Sequence, residues 1–221
     1  AMLAHTHRAA TGEGQYVDVS CQQAVAKTLA HAPQFWDLEG VILKRMGAYR
    51  QSAGETATRV TWPCKDGYVN YMPSGGVSGA GSVRALLTWM AEEGMKNEEL
   101  EGVNWEDMGY GTARGEIMQL TIGPFEAFFA THTVDELSSG SLERRILLFP
   151  VATPRTILNH PQLKAREYFQ ELRHPDLDRS FTYPGLFVKD REGQRLGLRR
   201  CAPLIGEHNQ EILCGELGLN N

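Results

Sequence analysis

Gln15 to Val19 read QYVDV, a polar and apolar alternation with the two-residue period of a half-buried strand. Gly12 and Gly14 just ahead supply a tight turn with backbone freedom that side chains tolerate poorly. Ser20 closes the strand and opens a helix: with Gln23 three positions on it has the Ser-x-x-Gln spacing of a capping box, and the helix is expected from Cys21 to about Asp37. Arg45 to Gly54, RMGAYRQSAG, reads as a linker or loop. Thr58 to Cys64 and Tyr68 to Met72 read as strands around Lys65-Asp66-Gly67, because Asp-Gly suits the positive φ angles of a tight hairpin. Ser82 to Glu93 places Leu86, Leu87 and Met90 on one helical face and is stopped by Gly94. Arg114 to Thr131 predicts another helix, which Gly123-Pro124 must break or kink. Thr133 with Glu136 opens a third by a capping box. Ile146 to Val151, ILLFPV, is a buried strand, and Thr153-Pro154 starts a short helix as N-cap and first residue.

This grammar divides the chain into three regions. Residues 1–54 carry a helix end, the glycine turn, a strand and a long helix. Residues 55–160 form an α+β unit of their own. Residues 161–221 hold short strands, turns and a last helix from Glu207 to Leu217, ended by Gly218. The strands of that last region have too few partners for a good core. It is therefore expected to pack on the first region, with the middle one inserted between them. No repeat or low-complexity segment is visible.

Composition narrows the function classes. The 221 residues are 42% hydrophobic, a globular content. The net charge of −5, from 22 Lys and Arg against 27 Asp and Glu, comes without a basic block and favours neither nucleic acid nor an anionic membrane surface. No apolar run approaches the roughly 18 residues of a membrane span and no signal-peptide core is evident, so a cytoplasmic location is expected. Cys21, Cys64, Cys201 and Cys214 stand far apart without a C-x-x-C pair, which points to reduced thiols and no zinc site. Ala1 ahead of Met2 fits either Met2 as the encoded start or a chain excised from a longer one.

Chemistry read from spacing alone is sparse. Pro73 to Ser82, PSGGVSGAGS, is a glycine-rich stretch leading into a helix, the kind of turn that presents amides to an anion. Ser82-Val83 stands where a phosphate-binding loop needs Lys-Ser/Thr, so a flexible or lid-like loop is the better reading and a substrate loop the alternative. His5 and His7 point apart on a helix. Asp18 is expected to serve a structural hydrogen bond, and Lys65 and Asp66 to serve the hairpin turn. Arg144-Arg145 and Arg199-Arg200 are candidate anchors for an acidic ligand, with solvated surface pairs as the plainer reading. Glu207 at the start of the last helix complements its dipole, worth ~0.3–1 kcal/mol. The tryptophans and Met46, Met72 and Met90 are assigned to core packing. No Ser/His/Asp set and no metal cluster appears.

Five segments in order carry a resemblance. TGEGQYVDVS with the following CQQAVA (11–26), KDGYV (65–69), ERRILLFPV (143–151), HPQLKAR (160–166), and APLIGEHN with EILCGELG (202–218) resemble the family III CoA-transferases of the CaiB/BaiF type, whose relatives include formyl-CoA transferase and α-methylacyl-CoA racemase. The resemblance implies an α/β large domain of nucleotide-binding type, present here only as its C-terminal elements, with an inserted α+β small domain. In those terms residues 1–54 are a remnant of the large domain with a linker helix, 55–160 the small domain, and 161–221 the return to the large domain. It further implies two chains interlocked in a dimer, and covalent catalysis. An aspartate attacks an acyl-CoA thioester, and CoA then passes through an aspartyl thioester to a carboxylic acid. Glycine-loop amides stabilise the developing oxyanions.

The departures are as informative. The family's aspartate lies before the T-G-x-G-Q segment, where this chain has only AMLAHTHRAA, so no residue here is assigned as catalytic. The family's glycine run precedes the K-D-G-Y hairpin. By position Gly47, Tyr49, Arg50 and Gly54 are therefore the expected substrate-binding residues, with Gly75 and Gly76 after the hairpin as a second set. Coenzyme A is expected as a substrate, with no cofactor and no metal. The expected partners are an acyl-CoA and a carboxylic acid in the complete enzyme, and either a second copy or a chain supplying the N-terminal half. Part of an acyl-CoA racemase, an interaction-only subunit and a truncated gene product are the alternatives.

Overall fold

The computed structural model describes residues 1–53, 56–108, 112–188 and 197–219. The chain divides into two compact units, Ala1–Val151 and Ala152–Asn221.

The first unit opens with helices α1 (Met2–Thr11), α2 (Cys21–Thr28) and α3 (Ala32–Glu39). Strands β1 (Tyr49–Ala53) and β2 (Thr56–Arg59) form an antiparallel pair. A three-stranded antiparallel sheet follows, in the order β3 (Thr61–Cys64), β4 (Gly67–Tyr71), β5 (Leu148–Pro150). Between β4 and β5 the chain forms α4 (Gly76–Glu92), α5 (Glu98–Glu101), α6 (Thr112–Ala130) and α7 (Val134–Arg144). In β4 the side chains alternate, with Val69 and Tyr71 inward and Tyr68 and Asn70 outward. Ala80, Val83, Leu86, Leu87 and Met90 recur at helical spacing on α4, and Met118, Phe125, Phe128 and Phe129 do so on α6. These faces close over the sheet. Among the described residues every buried hydrophobic side chain lies between Trp62 and Leu148.

Aromatic geometry organises that core. Trp62 meets Phe125 and Phe129 edge-on at ring centroid distances of 6.0 and 5.6 Å, and Tyr71 meets the same two rings at 5.8 and 6.0 Å. All three buried indoles have their N–H satisfied: Trp62 donates to the Tyr71 carbonyl at 2.7 Å, Trp105 to the Leu100 carbonyl at 3.0 Å and Trp89 to Glu93 Oε1 at 2.6 Å. At Gly140 of α7 the Trp89 ring lies where any Cβ would project, so this helix approaches α4 only because the side chain is missing. Thr133 and Glu136 form the reciprocal capping box expected of them, and the Thr133 N–H and hydroxyl hold the Glu136 carboxyl below its ordinary range.

Several expectations need correction. Gln15 to Val19 has no regular structure and pairs with no described strand, so the alternation there does not become a sheet. Of the capping box at Ser20, only the half in which Ser20 Oγ accepts from the Gln23 N–H is formed, at 3.3 Å. The long helix from Cys21 is two helices, because Pro33 at the start of α3 has no N–H to continue the ladder. Residues 49–53 of the supposed linker are a strand. The glycine-rich stretch Gly76 to Gly81 is the opening of α4 rather than a loop, because Ala80 and Val83 draw that turn onto the core. Helix α6 continues through Pro124, and the carbonyl deprived of a donor belongs to Leu120, on the exposed face.

The second unit contains α8 (Pro154–Asn159), α9 (Pro161–Ala165) and the antiparallel hairpin β6 (Phe169–His174) with β7 (Arg179–Pro184). Thr153 caps α8 in a second reciprocal box, with Thr156 as partner. The expected last helix is a short π-helix, Gln210–Glu216. The observed whole is a mixed α and β fold with small sheets.

Candidate functional site

Gly47 sits in a tight turn closed by a bridge between Met46 and Tyr49, with φ of 62°. No atom lies within 4 Å of where its Cβ would be, so backbone conformation, not space, requires glycine there. The turn is anchored by the Ala48 carbonyl, which accepts from the N–H groups of Val60 at 2.8 Å and Thr61 at 3.1 Å. It leads directly into β1, where Tyr49 is half-buried and Arg50 exposed.

Arg59, at the end of β2, fixes this hairpin to the core. Its guanidinium lies 5.8 Å from the Tyr49 ring centroid and 5.0 Å from that of Trp62. Its Nη1 donates to Glu126 Oε2 of α6 at 2.9 Å, and its Nε donates to the Thr61 carbonyl at 3.2 Å. With the Arg59 side chain only 14% exposed, this ion pair is partly desolvated and geometrically fixed. Gln119 Nε2 adds a bond to the Ala57 carbonyl at 3.3 Å. Sequence reading passed over Arg59 and Glu126. The available signal was a single carboxylate in the apolar run IGPFEAFFA and a cation next to a strand tryptophan.

Gly75 and Gly76 occupy a different place, the N-terminus of α4. A Cβ on Gly75 would fall 2.6 Å from both Met108 Cβ and the Trp105 carbonyl oxygen. Gly76, at φ 73°, donates its N–H to that carbonyl at 2.8 Å. Gly75 is the N-cap and no side chain caps the helix. The Gly76 N–H is thus satisfied, and the amides after it carry the positive end of the dipole of a 17-residue helix, a setting that favours an anionic oxygen. Among the described residues no hydrogen bond or ring contact joins this turn to the Gly47 hairpin. Gly54 lies outside the described residues.

The other candidates resolve into structure. His5, His7 and Asp18 are exposed. Asp66 Oδ1 accepts from the Val134 N–H at 2.7 Å, fastening the β3–β4 turn to the start of α7. Arg144 stacks over Trp89 at 4.5 Å and reaches Glu92 at 3.3 Å. The Tyr71 hydroxyl is buried without a hydrogen-bond partner. Nearby Ser82 Oγ is engaged by the Leu147 N–H, and burial pushes the Tyr71 hydroxyl far up in pKa. Among the described residues no group of His, Cys, Asp or Glu could hold a metal, and no helix is long and apolar enough to cross a membrane.

The second unit has a cleft of its own, about 610 Å³, lined by Arg173, His174, Arg200, Cys201, Leu204 and Glu207 among others. Its charges are largely balanced internally. Arg173 bonds Asp178 at 2.6 Å, Arg200 lies 3.7 Å from Glu211, and Glu207 Oε2 accepts from the Leu204 N–H at 2.7 Å. The APLIGEHN segment thereby gains a physical role: it closes one wall of this cleft.

The fold first places the chain in a class. It superposes on a CaiB/BaiF family protein from Brucella suis with a TM-score of 0.66 at 19% identity, covering 97% of this chain and 51% of that one. The sequence profile of CoA-transferase family III matches residues 1–209, and the chain belongs to that family. It is 36% identical over 209 residues to the succinyl-CoA:(R)-benzylsuccinate CoA-transferase subunit BbsE of Thauera aromatica, over 93% of this chain and 48% of the relative. It is 28% identical over 216 residues to the bile acid CoA-transferase BaiK of Clostridium scindens, over 96% and 46%. The chain therefore spans about half the length of the curated relatives it matches.

Proposed function

We propose that this chain is one half of a family III CoA-transferase that moves CoA from an acyl-CoA donor to a carboxylic acid. The observation that carries this reading is the family match over residues 1–209 in a chain spanning only 48% of its relative from Thauera aromatica. The names of both curated relatives denote CoA transfer to an organic acid, which favours a transferase over a racemase. The donor named for one of them, succinyl-CoA, is the first to test. Coenzyme A enters as substrate, with no separate cofactor.

In this reading the nucleophilic aspartate lies in the other half, and this half supplies substrate-binding surface. Gly47, Tyr49 and Arg50 form one wall, supported by the positive φ of Gly47 and by the hold that Arg59 and Glu126 have on the hairpin, and Gly54, outside the described residues, joins them by sequence position alone. Gly75 and Gly76 shape the start of α4, whose amides beyond Gly76 are offered to an anion, supported by a helix end that no side chain caps. Each donor aimed at a developing oxyanion is worth ~2.7–4 kcal/mol in hydrolases. The test is a succinyl-CoA-dependent transferase assay with the chain alone and with the complementary half of a family III enzyme. No transfer alone and transfer on mixing is the expected result. Turnover by the chain alone would overturn the division of labour.

A further inference from the structure

The hairpin of β1 and β2 carries Tyr49 and Arg50 of the proposed substrate wall. It forms a two-stranded sheet of its own, apart from β3, β4 and β5, and two strands alone are marginal in water. Side chains supplement the Ala48 carbonyl bonds in holding it. Arg59 stands opposite Tyr49 in the ladder and turns its guanidinium onto the Tyr49 and Trp62 rings, the Thr61 carbonyl and the Glu126 carboxylate at once. Gln119, two helical turns before Glu126 on the same face of α6, bonds the Ala57 carbonyl. Helix α6 therefore grips β2 at two points along one stripe.

We infer that Arg59 is a positioning residue for the proposed transfer: without touching CoA or the acid, it sets through Glu126 where the Tyr49-Arg50 wall stands. The inference rests on the reading of that wall as substrate-binding and adds what fixes it. Three observations favour it. The Arg59 side chain is only 14% exposed and is engaged by two rings and two oxygens, so it is spent on the protein, whereas Arg50 on β1 is exposed. Two ring faces and two oxygens at fixed angles suit the planar fork of arginine and not a point charge. The ion pair with Glu126 is partly desolvated, a weak aid to stability but a firm constraint on geometry. Displacing such a wall by about 1 Å can cost on the order of 100-fold in rate.

The test has two readouts. The first is amide hydrogen exchange on this chain alone. Arg59→Met keeps an unbranched apolar stem against Trp62 and removes the charge and the donors. It should speed exchange of the β1 and β2 amides at least about 10-fold and leave those of β4 unchanged, which also shows that the variant is folded. The second readout is transfer from succinyl-CoA after mixing with the complementary half of a family III enzyme. Arg59→Met should lower kcat about 100-fold and Arg59→Lys about 10-fold, with KM within about 3-fold of the parent, because the loss falls on transition-state geometry. Glu126→Met breaks the pair from its more exposed side and should do the same as Arg59→Met, so the test stands even if that variant also loosens β4. Glu126→Gln keeps an acceptor for Arg59 Nη1 and should restore both readouts to within about 3-fold of the parent. Faster hairpin exchange with kcat unchanged would overturn the positioning role and leave the proposed function standing. Unchanged hairpin exchange in Arg59→Met and Glu126→Met would overturn the hold itself. Absence of transfer by the parent chain with its complement would remove the proposed function and this role with it.

Discussion

Two tetrapeptides in this chain are nearly the same and meet opposite fates. Tyr16-Val17-Asp18-Val19 and Tyr68-Val69-Asn70-Tyr71 share one pattern, with the second and fourth residues apolar and the third polar. In β4 the second and fourth side chains, Val69 and Tyr71, are 0% and 1% exposed; the corresponding Val17 and Val19 are 44% and 70% exposed. The difference is not propensity. β4 has Thr61 to Cys64 on one edge, Leu148 to Pro150 on the other and an aromatic face of α6 over it, whereas residues 16–19 have no described strand on either edge. Alternation selects which face of a strand will be buried. Only a partner buries it.

The same contrast runs through the whole first unit. Among the described residues, 62–148 hold every buried hydrophobic side chain, and α1 to α3 hold none. The largest test of that division is Trp62→Ala. Removing a fully buried indole that contacts two phenylalanine rings should cost ~3–5 kcal/mol in urea unfolding. A cost under ~1 kcal/mol would mean that the core is not organised around this ring.

Thr133→Ala should have a smaller effect, about 1 kcal/mol, from the lost N-cap of α7. It should also change the acid side of the stability profile. The Glu136 carboxyl is held low by the Thr133 N–H first and its hydroxyl second, so its contribution is full above the unfolded carboxylate pKa and is lost as pH falls through the lower folded value. The variant keeps the N–H bond and loses the hydroxyl, so unfolding curves below about pH 4.5 should depend less steeply on pH than those of the parent. An unchanged slope would remove the capping box from the account.

The smallest effect is expected at Leu38→Ser. This side chain is 84% exposed on α3, and its loss should shift core unfolding by less than ~0.5 kcal/mol. A shift above ~1 kcal/mol would show that α3 folds onto the core and would blur the contrast. Fluorescence separates the regions in one experiment, because Trp62, Trp89 and Trp105 report the core and Trp36 reports α3.

Much of the core region was legible in the sequence. The turn at Lys65-Asp66, the capping box at Thr133, the apolar face of α4 and the strand around Leu148 all depend on residues within a few positions of each other, where spacing is informative. The family, too, was legible in five short segments. The candidate site was much less so. Gly47 can be placed by position, but the strand that follows it reads as linker in sequence, because β1 is defined by pairing with β2 and not by its own polar sequence. Arg59 and Glu126 are 67 residues apart, and no local pattern brings them together.

The sequence by itself determined which faces are apolar, where helices are capped and to which family the chain belongs, since these follow from side-chain chemistry repeated at fixed periods. Tertiary structure decided which of those faces are satisfied. It drew Gly76 to Gly81 into a helix because Ala80 and Val83 meet the core, and among the described residues it left Gln15 to Val19 without a strand partner, because pairing needs a second strand that local sequence cannot provide.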